Sequence, residues 1–105
     1  MIAYVCAIFG SLFFVNAIPH FVSGVMGRPF QSPFAKPPGK GLSSSTVNVL
    51  WGAFNFAVAY VLLCRVGAFD AHDLRQVGAV GIAGLAAALG LARGFGRFHG
   101  GNDPQ

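Results

Sequence analysis

The sequence predicts an all-α integral membrane protein with three transmembrane helices and a Pro-rich interfacial loop between the first and the second. Two observations carry that prediction. Only 10% of the 105 residues are charged and 54% are hydrophobic, whereas a soluble domain carries about a quarter of its residues as Asp, Glu, Lys and Arg. The charges are also segregated, because residues 1–27, 41–64 and 76–92 contain none. Each window approaches the length needed to cross a hydrocarbon core of about 30 Å, which takes about 20 helical residues. The chain fits a single membrane domain, 1–105.

The first span is expected over about residues 2–20, built on Ile8, Phe9, Leu12, Phe13 and Phe14, with Pro19 kinking or ending it. "VNA" before Ile18 has the small residues of a cleavage site, but the positively charged start of a secretory signal is missing, so the run reads as a retained span. Residues 27–45 hold Pro29, Pro33, Pro37 and Pro38 and are predicted to be extended or turn-rich. Phe30 and Phe34 alternate there with Arg28 and Lys36, which suits a strip at headgroup level.

Ser43, Ser44, Ser45 and Thr46 offer side-chain oxygens to a helix start, so the second span is placed at about 46–64, before Arg65. In "FDAHDLRQ", Asp70 is the expected cap of the next helix, with Asp73 favouring its positive end. The third span, about 76–92, is short and poor in large side chains, so Arg75 and Arg93 are expected to snorkel. Residues 97–105 read as a mobile tail.

Arg28, Lys36, Lys40, Arg93 and Arg97 fall on one side of these spans, Arg65 and Arg75 on the other. The positive-inside rule then puts the N-terminus outside and the C-terminus in the cytoplasm. Abundant Ala, Gly and Val point to a bacterial inner membrane. A net charge of +4 is spread beside apolar segments, so the lipid bilayer with its anionic headgroups is the expected partner and nucleic acid is not.

Polar residues inside the spans are the candidate site. Asn16, His20, Ser23 and Gly24 form one stripe at helical spacing, and Asn48, Gly52, Asn55 and Ala59 form another. With the first helix descending and the second rising, Asn16, His20, Asn48 and Asn55 share the inner half of the membrane. The third helix offers Gly81, Gly84, Ala88 and Ala92 as a small-residue stripe. Two uses are open for the four polar residues. They can be hydrogen-bonding glue between helices, or they can line a polar pocket for a headgroup, a quinone, a proton or an ion.

Cys6 and Cys64 fall at one end of adjacent antiparallel helices, so a disulfide is conceivable beside plain apolar packing. Neither lies in a CxxC motif, which excludes a thioredoxin-like site and a four-thiolate zinc site. No metal site is expected, since the helix cap explains "DAHD". Two His20 side chains across a dimer could ligate a haem. "PPGKGLSSS" fails the phosphate-loop pattern. The length is similar to that of small multidrug-resistance transporters, but the carboxylate of their first helix is absent, so the similarity is one of size.

No catalytic residues are expected, because His20 is the single ionisable group placed for chemistry within a span. The first expectation is therefore an accessory or interaction subunit acting through helix packing, as a homo-oligomer or within a larger membrane complex. The second is an oligomeric carrier or pore lined by Asn16, His20, Asn48 and Asn55. The third is a haem- or quinone-binding protein that uses His20.

Overall fold

The computed structural model describes residues 1–103. It is mostly helical, in the order α1 (Ile2–Val25), β1 (Phe30–Gln31), β2 (Leu42–Ser43), α2 (Ser45–Tyr60) with a π-helical continuation (Val61–Val66), and α3 (Leu74–His99). All three long helices, counting α2 with its continuation as one, are long and apolar enough to cross a membrane. α1 lies in the middle, with α2 packed on one side of it and α3 on the other.

Pro19 sits inside α1 without ending it, contrary to the boundary at residue 20. A proline forfeits its own N–H bond and crowds one carbonyl, and the rest of the turn is held by contacts with α2. α1 ends instead at Val25, and just beyond it stands Gly27, whose φ of +73° only glycine adopts cheaply. Its N–H bonds the Gly24 carbonyl at 3.0 Å and the Arg28 N–H bonds that of Ser23 at 2.9 Å. Those two bonds form a Schellman cap, and Pro29 follows directly.

The loop does not lie as a flat strip. It doubles back, pairing Phe30 with Ser43 and Gln31 with Leu42 in a minimal antiparallel ladder, so that Phe30, Gln31 and Ser32 are buried at one end of the bundle. Ser44 then caps α2 by accepting from the Val47 N–H.

α2 approaches α1 closely, because a Cβ on Gly52 would stand 2.7 Å from the Phe21 nitrogen. After Tyr60 the helix widens by one residue per turn. Leu62 and Leu63 then face Gly10 of α1, which leaves Cys64 exposed while Cys6 is buried, and both are free thiols. The disulfide between Cys6 and Cys64 is thus corrected to two separate cysteines.

Asp73, not Asp70, is the N-cap of α3, accepting from the Arg75 N–H at 2.9 Å. That backbone bond, aided by the Arg75 charge, holds the Asp73 carboxyl below its usual range. Asp70 closes the preceding turn, accepting from the His72 N–H at 2.9 Å. α3 runs to His99, well past residue 92, so residues 97–99 of the expected mobile tail are helical. The reason is a contact at its end, where the His99 ring stacks on Phe30 with centroids 5.1 Å apart. Residues 104–105 of that tail lie outside the described residues.

The burial pattern inverts that of a soluble protein. Asn48, Asn55 and Ser32 are the largest fully buried side chains, while Phe9, Leu50, Phe54, Ile82 and Leu89 are exposed.

Candidate functional site

The polar residues of α1 and α2 meet in two pairs. Asn16 donates through Nδ2 to Asn55 Oδ1 at 3.1 Å. One turn further along, His20 Nδ1 lies 2.8 Å from Asn48 Oδ1. Spacing explains why two rungs form, since Asn16 to His20 and Asn55 to Asn48 are each close to whole helical turns on antiparallel neighbours. Asn55 also returns its Nδ2 to the Trp51 carbonyl at 2.8 Å.

Asn48 is 0% exposed and is the hub of this region. Its two Nδ2 protons are shared among the carbonyls of Phe30, Ser43 and Ser44, at 3.1, 3.2 and 3.1 Å. One amide therefore ties both strands of the loop to the start of α2. It also settles the chemistry of His20. Three carbonyl partners fix which end of the Asn48 amide is nitrogen, so Oδ1 faces His20 and can only accept. Nδ1 must then carry the proton, and in neutral His20 the Nε2 lone pair is bare.

Around His20 the walls are aromatic. Phe30, Phe95 and Trp51 each present a near-perpendicular ring, at centroid distances of 5.4, 5.7 and 6.3 Å. Beside them lies a cleft of about 420 Å³ to which Asn16, His20, Gln31, Ser32, Trp51 and Phe95 contribute, with loop residues Pro33, Pro38 and Gly39 forming its rim. A second hollow of about 240 Å³ shares Asn16 and Trp51 with it and adds Leu12, Phe13 and Asn55. Trp51 Nε1 is buried without a hydrogen-bond partner, as is Ser11 Oγ. Trp51 thus lines both hollows and carries a buried indole N–H without a partner among the described residues.

The small-residue positions divide. Gly52 is in close contact with α1, whereas a Cβ on Gly81 would meet nothing within 4 Å and one on Gly84 only Val15 Cγ2 at 3.6 Å. The half-buried face of α3 instead passes through Val80, Ala83, Gly84, Ala87 and Leu91. Gly81 and Ala88 are exposed, so within one chain the expected stripe lies beside the packed face of α3 and shares Gly84 with it. Ala88 borders an apolar groove with Val15, Ile18 and Pro19.

Three contributors lie outside the expected site. Gln31 Oε1 accepts from His99 Nε2 at 2.8 Å, and neither Gln31 nor Phe30 carries a site signal in the sequence, because the loop's return is a tertiary event. Trp51 did carry one, lying three residues after Asn48 on the same helical face. His20 is 2% exposed within one chain. His72 and His99 lie at opposite ends of α3's surroundings, and among the described residues no three His, Cys, Asp or Glu side chains gather as a metal site. Compared with protein-family models, curated proteins and solved structures, the chain matches none of them.

Proposed function

We propose that this chain is a small integral membrane protein of a bacterial inner membrane, N-terminus outside and C-terminus cytoplasmic, that serves as an accessory or interaction subunit. The inverted burial pattern supports the membrane reading, since apolar side chains outside and amides inside suit an apolar solvent. A longest dimension of 41 Å matches a bilayer with its headgroup regions, about 40–45 Å.

One observation carries the interaction role. α1 and α2 are joined by two interhelical hydrogen bonds and backbone-close glycine contact, whereas no residue of α3 is buried. Gly78, Gly81, Gly90 and Gly94 of α3 have open space where a Cβ would stand. In lipid, helices associate through close backbone approach and hydrogen bonds rather than apolar burial. Gly78 and Gly81, one turn apart on the same side of α3, thus offer a small-residue patch for a second copy or a larger complex.

The oligomeric carrier or pore lined by Asn16, His20, Asn48 and Asn55 is less well supported. Asn48 is spent on protein carbonyls and His20, leaving little of it for a lumen. The test is extraction in mild detergent followed by native mass spectrometry. A second copy or a stoichiometric partner is expected, lost in the Gly81→Leu/Ala88→Leu double variant with helix content retained. A monomer carrying lipid alone would overturn the interaction role.

A further inference from the structure

We infer that the cleft beside His20 is a binding site for a neutral, hydroxylated aromatic amphiphile of the quinol type, its ring in the space lined by His20, Trp51 and Phe95 and its tail along the α1–α2 groove. The inference rests on the membrane reading above and goes beyond the interaction role.

The donor and acceptor pattern selects the head. His20 Nε2 is a bare acceptor, because Asn48 holds the proton on Nδ1. Trp51 Nε1 is a buried donor with no partner. A ligand that serves both must donate one hydrogen bond and accept another. A phenolic hydroxyl, or the two hydroxyls of a quinol, does so.

Charge narrows the class. Among the described residues no Lys, Arg, Asp or Glu lines the cleft, so neither a phosphate headgroup nor an ammonium ion has a counter-charge there. A lone imidazole without carboxylate or thiolate neighbours is a poor metal site. Phe30, Phe95 and Trp51 around His20 favour a flat ring over a glycerol head.

The adjoining hollow supplies the tail's path. It shares Asn16 and Trp51 with the cleft and continues past Leu12 and Phe13, so a chain attached to the ring can leave between α1 and α2. The cleft's about 420 Å³ falls in the usual range for small-molecule sites, about 300–1,000 Å³.

The chain carries its own reporter, because Trp51 is its single tryptophan. Full-length protein in phosphatidylcholine nanodiscs is titrated with decylubiquinol, with decylbenzene, which keeps ring and tail without hydroxyls, and with monoolein, which keeps hydroxyls and tail without the ring. Saturable change in Trp51 fluorescence is expected with decylubiquinol, about tenfold tighter than with either control, and about tenfold weaker in His20→Leu. Since that variant can misfold, the unaltered protein is also read by ¹⁵N NMR. The His20 Nε2 signal is expected to move on adding decylubiquinol, as a lone pair gains a donor.

Equal affinity for decylbenzene or monoolein would overturn the inference, as would an unmoved Nε2 signal at saturation or no binding by folded, membrane-inserted protein. Failure of the chain to stay with membranes after alkaline washing would instead overturn the membrane reading on which it rests.

Discussion

Replacing Asn48 with alanine tests the hub that joins loop and helices. The side chain contributes two donor protons, shared among the Phe30, Ser43 and Ser44 carbonyls, and one acceptor, engaged by His20. Three satisfied groups at about 0.6–1 kcal/mol each in an apolar surround amount to about 2–3 kcal/mol. The His20 Nδ1 proton is then left buried without a partner, which raises the loss to about 2–4 kcal/mol. The loss should also be local. Residues 28–44 should become exchange-labile first, while the Asn16–Asn55 rung keeps α1 and α2 together. Hydrogen–deuterium exchange with mass spectrometry, beside thermal unfolding in detergent, reads both effects. A loss under about 0.5 kcal/mol with unchanged loop protection would refute the reasoning, because a hub of this kind cannot be removed so cheaply.

Gly52→Val should destabilise by about 1–3 kcal/mol in thermal unfolding, since its Cβ would collide with the Phe21 backbone. Gly81→Ala, with open space around it, should be neutral or stabilising by up to about 1 kcal/mol in the same assay. Cys64 should take up a maleimide much faster than buried Cys6 in the detergent-solubilised chain, giving a single adduct by mass. Asp73 is held below its usual carboxylate range by the Arg75 N–H. Its contribution to the α3 start is therefore full above the unfolded carboxylate pKa and fades as pH falls through the lower folded value. Circular dichroism in acid titration should show α3 fraying earlier in Asp73→Asn only above that pH, the two converging below it.

The three helices are legible because absence of charge over long windows needs no tertiary information. Their ends are not. Pro19 stops a helix by local rules, yet α1 continues to Val25, and α3 is prolonged to His99 by a ring stack with Phe30 far away in sequence. The polar stripes follow from the periods of Asn16, His20, Asn48 and Asn55, but which rung joins which partner depends on the axial offset of α1 and α2. That offset is set by where the loop returns. The π-helical turn after Tyr60 has no signature in "VLLCRV", and it alone turns Cys64 away from Cys6. Gly81 and Ala88 illustrate a different limit. A stripe of small residues at the right period fits two adjacent faces of one helix, and only contact with Val15 selects the one through Gly84.

The most direct test of the account is the tautomer of His20 in bilayers, read from its two imidazole ¹⁵N signals in the full chain, with His20→Gln used to assign them. A protonated Nδ1 and an unprotonated Nε2 are expected, with the distinction lost in Asn48→Ala. A proton on Nε2 instead, or signals indifferent to removal of the Asn48 amide, would contradict the arrangement from which the site was built.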